Sequence, residues 1–219
     1  MHVLASAGII LAGYLIGAVP FGLIIGRVFK GIDVRNYGSG KTGATNTLRT
    51  LGPGASGIVL LLDAGKGCAA VYLAHLTLNS PAVEAGAAVS AMVGHDWPVY
   101  VGFKGGRGVA VGLGSCLALV PLSGASAVLT TALVVAATRY VSLGSLLGAV
   151  AAAATIICYV ALGRAPADYL AFVILGFTLI IFQHRDNLVR LAGGRERRIG
   201  ERATAGSART RRMGREVAR

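Results

Sequence analysis

The sequence predicts an all-α integral membrane protein with seven transmembrane helices. Only 14% of its 219 residues are charged, whereas 54% are hydrophobic and the mean hydropathy is +0.68. A soluble domain would carry about 25% charged residues. Apolar runs long enough to cross a bilayer, which takes about 20 residues, recur along the chain. Most of the 32 glycines lie inside these runs, as is typical of closely packed membrane helices.

The predicted spans follow from the lengths of the apolar runs. The run over 109–137 is too long for one span, and "PLSG" at Pro121–Gly124 favours a tight turn that divides it. The third run continues toward Val101 past an interruption at His95 and Asp96. A five-span alternative would merge or demote the short fourth and fifth spans. The predicted spans cover about residues 4–26, 54–78, 82–101, 108–121, 124–138, 143–162 and 168–183.

The distribution of basic residues predicts the orientation. No positive segment precedes the first apolar run, so it does not resemble a cleavable signal, and we expect the N-terminus outside. Seven spans then place the basic, Gly-rich loops 27–53 and 95–108 on the cytoplasmic face, together with the C-terminus. Asp63 and Lys66 lie at helical spacing inside the second span, where we expect them to neutralise each other.

Charge also divides the chain into two parts. Residues 1–184 form the polytopic membrane domain, and residues 185–219 form a tail that holds eleven of the 21 Lys and Arg residues. Because the tail has few apolar residues, we expect it to be mostly disordered and cytoplasmic. Its charge favours contact with anionic membrane lipid, and we expect no nucleic-acid partner. The three cysteines lack paired spacing, which argues against a metal site.

The first polar segment, "GSGKTGATNTLR" from Gly38 to Arg49, resembles a nucleotide-binding P-loop only in part. The first glycine of that motif would fall at position 35, which is an arginine. Backbone N–H groups and polar side chains in such a loop nevertheless favour anion binding. The donors are Gly38, Ser39, Gly40, Asn46 and Arg49. Lys41, which suggested the nucleotide motif, is expected to contribute least.

A second segment, "FKGGRG", offers a similar set of donors. Lys104 and Arg107 are cations, and Gly105 and Gly106 would let the backbone approach a phosphate closely. If the fourth span begins near Gly108, the positive end of its helix dipole also faces this loop.

Two further segments lie on the same predicted face. Ser142 and Ser145 in "RYVSLGS" share a helix face, and so do His184 and Asn187 in "HRDN". Position alone leaves open whether His184 is a general base, a phosphate donor or a structural residue. Four donor-rich segments on one side of the membrane predict a single convergent site.

These motifs resemble those of the bacterial membrane acyl-phosphate:glycerol-3-phosphate acyltransferases (PlsY type). The resemblance rests on "GSGKTGATNTLR", "GHDWPVYVGFKGGRGVA", "RYVSLGS" and "HRDNLVRLAGGRE", and it covers about residues 4–196. Arg107 stands where lysine is more usual. The resemblance implies a seven-span fold in the bacterial cytoplasmic (inner) membrane, without metal or cofactor. It implies a pocket lined by Ser39, Asn46, Arg49, Lys104, Ser142, His184 and Asn187, with the Gly-rich second motif holding the acyl phosphate.

The implied reaction transfers a fatty acyl group from acyl phosphate to the 1-hydroxyl of glycerol 3-phosphate. It gives lysophosphatidic acid and phosphate, the first step of phospholipid synthesis. The expected catalytic residues are Ser39, Arg49, Lys104, His184 and Asn187. The sequence shows no nucleophile elbow, which favours direct attack by the glycerol hydroxyl, with Lys104 stabilising the oxyanion. The base could be His184 or a substrate phosphate. The alternative is a transporter of a phosphate ester or another anion.

Overall fold

The computed structural model describes residues 2–201, and the regular elements in this part of the chain are helical. Two short 3₁₀ turns, Val34–Asn36 and Val99–Val101, accompany ten α-helices. The helices are α1 (His2–Ala18), α2 (Phe21–Lys30), α3 (Ala44–Leu51), α4 (Pro53–Leu78), α5 (Pro81–Asp96), α6 (Val109–Leu119), α7 (Pro121–Thr138), α8 (Val141–Ala161), α9 (Tyr169–Gln183) and α10 (Arg185–Ala192).

The helices identify a multi-pass membrane protein, as predicted. Within the described part, four helical segments are long and apolar enough to cross a bilayer: α1 with α2, α4, α7 and α8. A fifth is possible if α9 and α10, which are bent by 59°, count as one broken span. Helices α5 and α6 are shorter. Length and composition therefore support four to five spans by themselves.

The division of the long apolar run 109–137 differs in one detail from the prediction. Helix α6 begins at Val109 with Gly108 before it, as expected. The predicted tight turn at Pro121–Gly124 is wrong, because Pro121 is the first residue of α7 and the chain turns at Val120. Proline suits the first turn of a helix, where its missing N–H group would have no partner within the helix.

The first predicted span is broken at Pro20, between α1 and α2. The carbonyl groups of Gly17 and Val19 accept hydrogen bonds from the Nζ of Lys66, each at 2.9 Å. The same ammonium group lies 2.9 Å from Oδ1 of Asp63, which confirms that these two residues neutralise each other. One buried lysine therefore forms an ion pair with a carboxylate and donates hydrogen bonds to the backbone that the break exposes.

Glycines allow two pairs of helices to approach closely. Helices α1 and α5 meet where a Cβ on Gly17 would overlap the backbone of Ala91, and a Cβ on Gly94 would overlap that of Tyr14. Helices α4 and α6 meet in the same way at Gly114, against the backbone of Ala64. Membrane helices have no hydrophobic driving force toward each other, so van der Waals contact between closely packed backbones stabilises their association.

The start of the predicted basic tail is folded. Residues 185–192 form α10, and the backbone N–H of Ile199 donates to the carbonyl of Arg139 at 2.8 Å. Predicted disorder is therefore wrong for the described residues 185–201. These residues pack against the membrane domain because their polar groups find partners there. The remainder of the predicted tail, 202–219, lies outside the described residues.

Candidate active site

A cavity of about 470 Å³ lies among α4, α6, α7, α8 and α9, and we call it the apolar cavity. Most of its wall is aliphatic or aromatic, but one end is polar. The polar end is lined by Lys41, Thr45, Arg49, Arg107, Ser142, His184, Asn187 and Glu196. Residues from all four motifs singled out in the sequence therefore meet at this end.

A second, smaller space of about 40 Å³ adjoins the first, and we call it the polar recess. Its walls carry cations and hydrogen-bonding groups: Ser39, Lys41, Arg107, Gln183, Arg185, Asp186, Arg190 and Arg197. Lys41 and Arg107 line both spaces. Two cations thus stand between a polar space and an apolar one.

The first loop is shaped by its glycines and held by Asn46. Gly38 and Gly40 adopt positive φ values of 56° and 71°, which glycine tolerates best. The amide group of Asn46 donates to the carbonyls of Val34 (2.8 Å) and Lys41 (2.9 Å), and its Oδ1 accepts from the backbone N–H of Ser39 (3.0 Å). Both N–H groups of Asn46 are therefore occupied.

This arrangement corrects the expected roles of three residues in the first loop. Asn46 was expected to bind phosphate, but its buried side chain instead fixes the loop that carries Ser39 and Lys41. Gly38 and Gly40 are not among the residues that line either space, and they act on the path of the backbone. Ser39 does line the polar recess, as expected.

The second loop packs on His95. The backbone N–H of Gly106 donates to the carbonyl of His95 at 3.0 Å, and a Cβ on Gly106 would overlap the imidazole ring. A Cβ on Gly105 would overlap the carbonyl of the same histidine. The two glycines are buried and line neither space, so the expectation that they approach a phosphate is not supported. Their lack of side chains brings the loop against α5.

Lys104 and Arg107, the two cations of the second loop, lie in different surroundings. The Lys104 side chain is exposed and lines neither space, whereas Arg107 lines both. The Nε of Arg107 is buried and has no hydrogen-bond partner among the described residues. A buried guanidinium N–H without a partner is costly unless a ligand supplies one. The predicted role of Lys104 at the reacting group therefore lacks support from its position.

Burial lowers the pKa of all three cations at the polar end. Desolvation is the main cause for Lys41 and Arg49, and it lowers the pKa of Arg107 to about 10. Arg107 also repels Lys41. None of the three forms an ion pair with a carboxylate within residues 2–201. A bound phosphate would offset the cost of desolvating these cations.

His184 is oriented by a hydrogen bond to the backbone carbonyl of Ile180, one helical turn earlier. Its Nδ1 lies 2.8 Å from the carbonyl oxygen of Ile180, which can only accept a hydrogen bond. Nδ1 therefore carries the proton, and in the neutral ring Nε2 keeps its lone pair. His184 is buried and lines the apolar cavity at its polar end. This tautomer suits a general base.

Asn187 and Ser142 present polar atoms without partners. The amide group of Asn187 donates to Oε1 of Glu196 at 2.8 Å, which leaves its Oδ1 buried and unbonded within the described chain. The Oγ of Ser142 is likewise buried without a partner there. Because a carboxylate only accepts, the orientation of the Asn187 amide is fixed, and Oδ1 is an acceptor. A substrate hydroxyl could donate to it.

Glu196 connects the end of the described chain to this site. Its Oε2 accepts from Nε of Arg190 at 2.7 Å while Oε1 accepts from Asn187. Nearby, a terminal nitrogen of Arg49 donates to the carbonyl of Arg197 at 3.5 Å. The segment after α10 therefore holds the side chains that form one wall of the polar end.

Sequence reasoning missed several members of the site. Lys41 was expected to contribute least, but it lines both spaces, and its Nζ lies 3.4 Å from Oε1 of Gln183. Arg190 was not singled out, although it follows Asn187 by three positions on α10 and so shares its face. That spacing was the available signal. For Lys41 the signal was its place in the partial P-loop pattern, which was set aside with the nucleotide interpretation.

The fold and the site define an integral membrane protein whose half-buried cations line one end of an apolar cavity. The chain belongs to the glycerol-3-phosphate acyltransferase family, whose family model matches residues 7–194.

Individual relatives agree with this assignment. The glycerol-3-phosphate acyltransferase of Desulforamulus reducens is 43% identical over 90% of this chain and 96% of its own length. That of Gloeobacter violaceus is 44% identical over 90% and 97%. A crystal structure of PlsY (YgiH), an integral membrane glycerol 3-phosphate acyltransferase in its glycerol 3-phosphate form, is 35% identical. It has a TM-score of 0.82 and covers 90% of this chain and 96% of its own. The lysophosphatidic acid form of PlsY matches with a TM-score of 0.81 and 34% identity, over the same shares.

Proposed function

We propose that this protein transfers a fatty acyl group from acyl phosphate to the 1-hydroxyl of glycerol 3-phosphate. The products are lysophosphatidic acid and inorganic phosphate, as the first step of bacterial phospholipid synthesis. Family membership supports the enzyme class. The observation that carries the proposal is the junction of two spaces of opposite polarity at Lys41 and Arg107.

The two spaces match the two substrates. The polar recess suits glycerol 3-phosphate, because its walls carry arginines together with Ser39. The apolar cavity suits a fatty acyl chain, and its cationic end suits the phosphate of the donor. Arg107 and Lys41 lie between the spaces and can neutralise both phosphates, which would otherwise repel each other.

The proposed reaction is a direct displacement. The glycerol 1-hydroxyl oxygen forms a bond to the acyl carbon, the bond from that carbon to the phosphate oxygen breaks, and phosphate leaves with the electron pair. The hydroxyl proton passes to Nε2 of His184 or to a phosphate oxygen. Oδ1 of Asn187 is available to accept from a substrate hydroxyl, and Arg107 is available to stabilise the oxyanion. Arg49 and Ser142 complete the contacts to phosphate.

We further propose seven spans, an outside N-terminus and a cytoplasmic C-terminus. If α1 and α2 form one broken span, then α4 to α9 supply the other six. Basic residues cluster in the loops that reach the site, which favours the cytoplasmic side for them. The membrane would be the bacterial inner membrane. Arginines beyond the described residues would hold the tail against anionic lipid.

The test measures phosphate release by purified protein. We expect release from palmitoyl phosphate to require glycerol 3-phosphate and to yield one lysophosphatidic acid for each phosphate. Arg49→Ala should reduce kcat/KM by at least about 100-fold, since it removes a charged phosphate contact. Lys30→Ala is the matched control, because this exposed cation lies on α2 and lines neither space. Flux of glycerol 3-phosphate across sealed vesicles without phosphate release would instead support a transporter.

A further inference from the structure

The lining of the apolar cavity ends at one residue on each of four helices. Counted along each helix from the polar end, the last lining residues are Cys116 on α6, Ala127 on α7, Ile156 on α8 and Phe172 on α9. At the rise of an α-helix, the distance along α8 from Ser142 to Ile156 is roughly 21 Å, and that along α9 from His184 to Phe172 is roughly 18 Å. The cavity therefore has a defined length from its polar end to its floor.

The floor is closed by tightly packed side chains. Ile156 is 1% exposed and Phe172 is 5% exposed, and both belong to the buried core. Tyr169, one helical turn beyond Phe172, is also buried in that core. A chain that filled the cavity could extend past the floor only by displacing these residues, although the side of the cavity at Leu60 and Val128, which are 42% and 49% exposed, is partly open. Interiors packed to this degree resist such displacement.

Small residues keep the wall of α8 open above the floor. Gly148, Ala149, Ala152 and Ala153 line the cavity, and their spacing places them on one helix face. The next residue along, Ala154, is exposed on another face and does not line the cavity. The empty volume therefore depends on the size of the side chains at a few positions of α8.

We propose that Ile156 and Phe172 set the longest acyl chain that the enzyme accepts, and that the small residues of α8 keep room for it. This inference rests on the proposed function, because it assigns the donor's chain to the apolar cavity. Chains shorter than the cavity lose burial of methylene groups, which lowers affinity by about fourfold for each one. Chains longer than the cavity meet the floor. The result is a preferred chain length.

The first experiment narrows the cavity. Ala153→Leu is compared with Ala154→Leu, which adds the same side chain to the lipid-facing side of the same helix. We measure kcat/KM for acyl phosphates from decanoyl to stearoyl. Ala153→Leu should lower the value for palmitoyl phosphate at least tenfold relative to lauroyl phosphate, with the KM for glycerol 3-phosphate unchanged. Ala154→Leu should keep the wild-type profile. Identical profiles in both variants would overturn the proposal.

The second experiment removes the floor. Ile156→Ala should shift the preferred donor to longer chains, whereas Ile157→Ala, on the exposed neighbouring position, should not. If Ile156→Ala folds and prefers the wild-type length, the floor does not set the limit. Ile156→Ala enlarges the cavity, so it complements Ala153→Leu, which narrows the cavity.

A binding measurement separates this inference from the proposed reaction. Thermal stabilisation of wild type and Ala153→Leu by lysophosphatidic acids of increasing chain length needs no turnover. A wild type without turnover whose stabilisation profile nevertheless shifts in Ala153→Leu would overturn the reaction and support the length limit. If wild type turns over, and wild type and Ala153→Leu show the same dependence of stabilisation and of kcat/KM on chain length, the result would support the reaction and overturn the proposed length limit.

Discussion

The backbone N–H of Gly106 donates a hydrogen bond to the carbonyl of His95, and the imidazole of His95 occupies the space where a side chain at position 106 would begin. The Nδ1 of His95 in turn lies 3.1 Å from the Nζ of Lys66. The loop that carries Arg107 is thereby attached to the buried ion pair of α4. Placement of Arg107 therefore depends on packing inside the membrane domain.

Gly106→Ala should therefore reduce both stability and activity. Overpacking of this kind costs about 1–3 kcal/mol or more, and displacement of the loop would move Arg107. Gly57→Ala is the control, because nothing lies within 4 Å of a Cβ at that position of α4. Thermal unfolding in detergent and phosphate release measure both effects. Wild-type unfolding and turnover in Gly106→Ala would contradict the proposed packing.

Lys66→Met should destabilise the protein by about 3–5 kcal/mol, because it leaves a buried carboxylate without its partner. The double variant Asp63→Leu/Lys66→Met should lose less than the sum of the two single variants. Equilibrium unfolding in mixed micelles measures the coupling. Additive losses would show that Asp63 and Lys66 do not stabilise each other, even at 2.9 Å.

Arg107→Ala should lower kcat/KM at least about 100-fold, since it removes a buried donor from both spaces. Lys104→Ala removes a cation three positions earlier in the same loop, but from an exposed site. It should retain most of the activity. A large loss of kcat/KM in Lys104→Ala with little loss in Arg107→Ala would instead support the catalytic role of Lys104 that the sequence suggested. Salt titration distinguishes a general effect of charge from a direct contact.

His184→Ala should lower kcat about 100-fold or more if Nε2 removes the hydroxyl proton. His184→Gln keeps a group able to bond to Ile180 and separates loss of the base from loss of packing. Single-turnover acyl transfer at saturating glycerol 3-phosphate isolates the chemical step. A wild-type rate in His184→Ala would instead identify a substrate phosphate as the base.

Tyr169→Phe should destabilise the protein by about 1.5–3 kcal/mol without changing kcat. Its hydroxyl group donates to the buried carboxylate of Glu84, whose other oxygen lies 2.8 Å from Nδ1 of His75. This cluster joins α4, α5 and α9 roughly 20 Å from His184 along α9. Tyr72→Phe is the control, because Tyr72 is 54% exposed. Thermal unfolding measures the expected loss of stability, and initial rates test whether kcat stays unchanged. A large fall in kcat would link this distant cluster to catalysis.

Hydropathy predicted most of the helical fold. Apolar runs must form helices in a bilayer because their backbone groups have no other partners there. The sequence also identified Ser39, Arg49, Arg107, Ser142, His184 and Asn187, which the structure brings to the two spaces. Their residue types and the positions of their segments at the ends of apolar runs were sufficient for that.

Only the tertiary structure decided which donors face the site. Lys104 and Arg107 are both cations in one loop, but packing of Gly105 and Gly106 on His95 leaves the first exposed and the second half-buried, with its Nε atom buried. Hydrogen bonds to Val34 and to the loop itself occupy the amide group of Asn46, whereas Lys41 lines both spaces. A sequence records the chemical capacity of each residue. The direction in which a loop presents its side chains depends on contacts between residues far apart along the chain, and these exist only once the helices have packed.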